Sequence, residues 1–210
     1  MLFQFLKHCK MPFEKKKAAR AGYQWLFEPY HGDEIVSLDF ETTGLNPKID
    51  DIISIGAVIV KGQRVLTSKQ LNLAIKPKQV IPQDAIKIHR IRNQDAANGI
   101  TLEQALPELL QFIGNRPILG YFVKFDLALL NRCCQQRYDF QLPNDAIELC
   151  NIYYKKVNAY YPDAWVDHKF ETLATTLDIP VLGRHSAVGD AITTALMYLK
   201  LTYGNRPKLM

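Results

Sequence analysis

Four cysteines in 210 residues, with no C-x-x-C pair and no Cys/His zinc spacing, exclude a disulfide framework and a zinc ribbon. A reducing, cytoplasmic setting is the expectation that follows. Eleven glycines and eleven prolines, unclustered, exclude collagen-like and low-complexity classes. No apolar run approaches the roughly 18 residues that cross a bilayer. The longest, Ile52 to Val60, suits a buried strand. Residues Met1 to Met11 are apolar only briefly, and their charges follow rather than precede the apolar part, so no signal peptide is expected. What remains is a globular composition, 48% apolar and 22% charged, of a length that fits one domain plus a small extension.

Basic charge is also missing from most of the chain. Residues 1–20 hold six bases (Lys7, Lys10, Lys15, Lys16, Lys17 and Arg20) against Glu14, which equals the whole formal net charge of +5. The rest carries twenty charges of each sign. Such a body predicts no broad basic groove, and leaves the terminal arm as the candidate anchor for polyanions.

Residues 1–33 read as a basic extension, helical over part of Lys15 to Phe27, with Pro29 to Asp33 as a linker. The main domain is expected over 34–204, with a short tail at 205–210. Ile35–Phe40, Ile52–Val60 and Val65–Ile75 predict three strands in a meander, the last two joined at Gly62. Thr101 to Gly114 reads as a helix with Thr101 as N-cap and Gln104 closing a capping box. A short strand at Pro117–Tyr121 follows. Helices are then expected at Phe125–Tyr138, Ile147–Tyr161, Phe170–Leu177 and Ala187–Tyr203. A meander followed by alternating helix and strand argues for an α/β domain with a mixed sheet.

Three acidic features carry chemistry. In Asp39-Phe40-Glu41 the two carboxylates share one face of a strand, planted at its end by the apolar lead-in Ile35 to Leu38. Adjacent carboxylates repel unless a cation lies between them, and hard divalent ions take such oxygen ligands. Asp126 sits at a helix start, where it could equally complement the helix dipole. His185-Ser186-Ala187-Val188-Gly189-Asp190 is the third. On one helix His185 and Asp190 would point about 140° apart. They can serve one site only if His185 lies in the loop before the helix and Asp190 projects from its first turns.

With Asp39-Phe40-Glu41-Thr42-Thr43-Gly44 first and H-x-x-x-x-D last, the chain resembles the DEDD superfamily of 3′–5′ exonucleases. The match is to its histidine-containing branch, which includes polymerase III epsilon subunits, ribonuclease T and oligoribonuclease. The resemblance runs from about Ile35 to Tyr203, and includes Ile52 to Val58 and Ile88-His89. It implies a ribonuclease H-like fold, a mixed five-stranded sheet flanked by helices. It further implies phosphodiester hydrolysis with two divalent cations, Mg²⁺ or Mn²⁺. By motif match, Asp39, Glu41 and Asp190 would ligate one ion. Asp39 would bridge to the second, supported by Asp126. His185 would be the general base toward water, and its ordinary pKa near 6.5 suits that role. Thr42, Thr43 and Leu45 would hold the terminal nucleotide, and His89 would contact it. Two positions depart from the pattern. Tyr121-Phe122-Val123 replaces a common His-Asn-Ala, and Ser54 replaces a Glu frequent in polymerase-linked members.

The implied partners are 3′ ends of single-stranded DNA or RNA, with DNA favoured and no membrane. RNA trimming and a catalytically silent binding module are the alternatives. Only seven residues follow the last helix, against a longer polymerase-binding tail in replicative epsilon subunits, so stable polymerase association is not expected. A homodimer is left open. Tyr153, Tyr154, Tyr160, Tyr161 and Trp165 could form a base-stacking platform, but their spacing also fits an amphipathic helix stripe. Cys133 and Cys134 read as packing residues, and His8, His31 and His168 as surface residues.

Overall fold

The computed structural model describes residues 2–162 and 165–204. The tail at 205–210 and the side chains of Lys7, His8, Cys9 and Lys10 lie outside what is described. The chain opens with helix α1 (Leu2–Arg20) and a 3₁₀ turn at Gln24–Phe27. Strands β1 (Glu34–Thr42), β2 (Ile52–Lys61) and β3 (Arg64–Ala74) form an antiparallel meander. Gly62, at φ +55°, makes the turn between the last two. Helices α2 (Gln83–His89), α3 (Asn93–Ala96) and α4 (Leu102–Ile113) follow. Strand β4 (Ile118–Gly120), helix α5 (Val123–Tyr138) and strand β5 (Ala146–Glu148) come next, then α6 (Leu149–Tyr160), α7 (Phe170–Thr176) and α8 (Ala187–Tyr203). The sheet order is β3-β2-β1-β4-β5, with β4 and β5 parallel to β1. This is the five-stranded mixed α/β architecture expected.

The alternation of β1 decides the site. Val36, Leu38 and Phe40 enter one core, where Leu106, Leu109 and Leu110 of α4 meet Leu129 and Leu130 of α5. The opposite set faces α8, where the Ser37 hydroxyl donates to the Ala191 carbonyl at 2.7 Å. The period of two then carries Asp39 and Glu41 onto the α8 side at the carboxyl end of β1. That side has its own core, in which Leu149, Tyr153, Phe170, Leu173 and Met197 are buried.

The capping box stands as expected: the Gln104 N–H donates to Thr101 Oγ1 (3.3 Å) and the Thr101 N–H to Gln104 Oε1 (2.9 Å). Helix α1 starts well before the Lys15 expected, helices α2 and α3 were not expected, and the segment at 146–148 differs in kind. Residues 146–148 pair with β4 as a strand, so the helix expected from Ile147 begins at Leu149. Glu148 makes the switch, because its side chain accepts the Cys150 N–H at 3.4 Å as N-cap. Helical structure in the extension is broken at Gly22, φ +82°. Ala18, Leu26 and Phe27 are buried in the same core as α4 and α5, and Tyr23 packs on Tyr138 at 4.8 Å. Among the described residues, no helix is long and apolar enough to cross a membrane.

Candidate active site

Asp39 lies opposite Gly56 in the register of β1 and β2. A Cβ on Gly56 would collide with the backbone of Ala187 and Val188. Its absence lets the first turn of α8 rest directly on the sheet. Asp190 projects from that turn, 3% exposed. Asp39, Glu41 and Asp190 thereby each offer an oxygen within 4.8 Å of the others. Asp190 Oδ1 is buried with no hydrogen-bond partner. Asp190 Oδ2 accepts from Arg184 Nη1 at 2.5 Å and from the His185 backbone N–H at 3.2 Å.

His185 sits in the loop two residues before α8, in a left-handed conformation with φ +63°. Gly189 makes room for that loop: a Cβ there would strike the carbonyls of Leu182 and Gly183. Asp126 comes from the first turn of α5, 4% exposed, and its Oδ1 accepts the Phe40 N–H at 3.1 Å. It stands beside Asp39 but is not one of the three carboxylates that converge.

Crowded carboxylates hold their protons. Burial, then the charges of Asp126, Asp190 and Glu41, push Asp39 well above the usual carboxylate range. Burial and Asp190 push Glu41 up to about 7, against the pull of Arg184. Burial pushes Asp126 up to about 8; the Phe40 N–H opposes this, and Glu148 and Glu41 add to it. Asp190 is raised by burial and restrained by Arg184. His185 is lowered, by burial first and then by Arg184. A cluster of hard oxygen donors that repel each other, one of them an orphaned buried Asp190 Oδ1, is a donor set that fits divalent cations.

The residues expected to hold a nucleotide are spread around this cluster. The Thr42 hydroxyl donates to the Gly44 carbonyl at 2.6 Å. Thr43 Oγ1 donates to Asp50 Oδ1 (3.3 Å) and accepts the Asp51 N–H (2.9 Å). Both hydroxyls therefore shape the loop after β1, and Leu45 stands at its tip, 87% exposed. His89 is buried at the end of α2. Its Nδ1 accepts the Ile91 N–H at 3.0 Å, and its Nε2 has no partner. Its pKa is lowered by burial and by the charge of His185, so α2 ends facing the site. Of the aromatic stretch, Tyr153 is core, while Tyr154, Tyr160 and Trp165 are exposed.

Sequence reasoning missed Arg184. Its Nε donates to Glu171 Oε1 at 2.6 Å and its guanidinium lies 4.4 Å over the Phe170 ring. The available signal was its position beside His185. Glu148 was missed as well: its Oε1 accepts the Phe122 N–H at 2.8 Å, steadying the turn into α5.

The sequence profile of the RNase T exonuclease family matches residues 36–198, from β1 into α8. The chain is a DEDD-type exonuclease of this family. The chain is also similar to bacterial DNA polymerase III proteins. DNA polymerase III subunit epsilon of Aquifex aeolicus is 28% identical over 166 residues, covering 79% of this chain and 79% of its own length. The PolC-type DNA polymerase III of Thermotoga maritima is 30% identical over 168 residues, where the chain spans 12% of that much longer protein. Among structures, E. coli exonuclease I in complex with a dT13 oligonucleotide superposes with a TM-score of 0.70 at 19% identity. That match covers 81% of this chain and 41% of exonuclease I, and it shows the shared ribonuclease H-like fold.

Proposed function

We propose that this exonuclease removes nucleoside monophosphates from the 3′ end of single-stranded nucleic acid, DNA in preference to RNA, with divalent cations. The observation that carries the reading is the convergence of Asp39, Glu41 and Asp190, each offering an oxygen within 4.8 Å of the others, with Asp190 Oδ1 buried and unpartnered. Asp39, Glu41 and Asp190 would hold one Mg²⁺ or Mn²⁺, and Asp39 with Asp126 a second. Bound there, the cations would supply positive charge to the attacking and leaving oxygens of the phosphodiester. His185, lowered toward its neutral form, accepts the proton from the attacking water. Arg184 keeps the Asp190 carboxylate turned toward the cluster. Leu45 offers an apolar surface to the terminal base, and Thr42 and Thr43 hold the loop that presents it. The preference for DNA draws on the relatives, which are DNA polymerase subunits and an exonuclease bound to DNA oligonucleotides.

The test is digestion of a 5′-labelled single-stranded DNA and the matching RNA with Mg²⁺, with Mn²⁺ and with EDTA. A ladder shortening from the 3′ end, faster on DNA and absent in EDTA, is expected. Internal cuts, or products released from the 5′ end, would overturn the assignment.

A further inference from the structure

The loop that leaves the acidic cluster at Thr43 returns to β2 with Lys48 and Ile49 in the wall of a separate groove of about 760 Å³. Ile52, Ile75, Leu102 and Cys133 line its apolar part, and Lys48, Lys76, Lys78 and Arg132 surround it. Arg132 is fixed in place, because its Nη2 donates to the Asp50 carbonyl. The hollow continues past Gln136 to Arg137, and from there to a third hollow walled by Lys17 and Arg20 of α1. Neighbouring hollows share lining residues, Lys78 and Gln136 first and then Gln136 and Arg137, so they adjoin one another along this flank as a path. At 1.5 Å per residue of α5, Arg132 lies about 9 Å and Arg137 about 16 Å along the helix from Asp126.

Seven bases line the path against three acids, Asp51, Glu103 and Asp139. Each acid is engaged. The Asp51 carboxylate accepts the backbone N–H groups of Lys78 (2.8 Å) and Gln79 (2.9 Å). Glu103 pairs with Lys78 and Asp139 with Lys17, both at 3.0 Å. The neutral sum of residues 21–210 thus conceals a segregation of charge. Acids gather at the catalytic end, and bases line the flank that the arm completes. Summed charge carries no information about position, so a neutral body can still line one flank with bases.

We infer that this path is a second nucleic-acid site, which holds the phosphates and bases of a single strand upstream of the 3′ end seated at the acidic cluster. The inference rests on the exonuclease reading above. A single strand suits the path because its phosphates meet the lysines and arginines while its bases reach the apolar lining. An acidic peptide brings the charge without flat apolar faces to cover Ile75 and Leu102.

Substitution rather than truncation is the proper test, since Ala18 of the arm is buried in the core. Lys76 and Arg137 are exposed, and neither forms an ion pair among the described residues. Binding of a fluorescent 20-nucleotide thymidine strand is followed by anisotropy in EDTA over a salt series, for the wild type and for Lys76→Ala/Arg137→Ala. Melting curves confirm that the variant is folded. Loss of two phosphate contacts should weaken binding roughly 20-fold near 0.1 M salt and reduce the salt slope by about 1.4. Unchanged affinity and slope would overturn the site. Loss of affinity for a ten-residue polyglutamate but not for the strand would overturn it in favour of a protein partner. Because the readout needs no hydrolysis, the two readings separate. Binding with the expected slope and no cleavage would sustain the groove and reject the nuclease assignment. Cleavage with an unaltered slope would reject the groove alone.

Discussion

Arg184 and Asp190 meet through Nη1 and Oδ2 at 2.5 Å, so an acid of the cluster is held by a guanidinium six residues upstream. The same guanidinium pairs with Glu171 and stacks over Phe170, which orients it. Arg184 is the chain's own counter-ion for this site. Its bond takes Oδ2 and leaves Oδ1 without a hydrogen-bond partner, a lone pair still free for a cation.

Arg184→Gln should therefore destabilise the protein in EDTA by about 2 kcal/mol, the worth of a charged hydrogen bond, which in a chain of this size is a fall of about 4–8 °C in Tm. With Mn²⁺ present much of that loss should be recovered, since the cation replaces the missing charge. Thermal melts with and without Mn²⁺ make the measurement. Equal losses in both conditions would mean that Arg184 acts only through Phe170 and Glu171.

Stability in EDTA should fall as pH rises from 6.5 to 8.5. Asp39, Glu41 and Asp126 have raised folded-state pKa values, with Glu41 near 7 and Asp126 near 8, whereas unfolded carboxyls ionise near 4. Between those limits the folded chain binds more protons than the unfolded one, so the slope of stability against pH is negative. His89 and His185 are lowered and act with the opposite sign below about pH 6.5, which sets the lower bound of the window. Saturating Mg²⁺ should flatten the curve. A Tm that rises through this window in EDTA would contradict the electrostatics described.

Asp39→Asn removes the carboxylate on which the repulsion converges. Hydrolysis should be lost, with less than a few per cent remaining, while the Tm in EDTA at pH 8 rises above that of the wild type. At pH 5, where the raised carboxyls of the cluster hold more protons and repel less, the two melting temperatures should draw together. Paired activity assays and melts at both values decide it.

His185→Ala should lower the rate by about 10²–10⁴-fold, the worth of a positioned general base, and leave cation affinity measured by titration calorimetry nearly unchanged. The wild-type rate should rise with pH and level off with a midpoint below 6.5, because burial and Arg184 both favour the neutral imidazole. A profile flat from pH 5 to 8, with chemistry rate-limiting, would remove His185 from that role.

The sheet was legible because its long strands announce themselves. Ile52 to Val60 is nearly all apolar, β1 ends in a D-x-E that period-two geometry must place on one face, and Thr101 with Gln104 marks a helix start. Short elements carry no such period. Strand β5 has three residues and reads as the head of a helix, and α2 and α3 span seven and four. In the site, the geometry of His185 and Asp190 follows from helical rotation and two glycines. The pairing of Arg184 does not, since a base near acids on a sequence line can face either way. Nor does composition reveal that Ala18 and Phe27 seal the core, or that Arg20 and Arg137 share a wall.

Gly56 bears on how the catalytic end tolerates change. Where α8 crosses β2, backbone meets backbone, with no side chain in between to act as an adjustable shim. The gap between Asp39 and Asp190 is thus fixed by the thickness of the main chain itself. Leucines can become isoleucines on the far side of the sheet without touching that backbone contact. The site is gauged against a dimension that substitution elsewhere cannot retune, and a single methyl at position 56 would act as a wedge under the whole of α8.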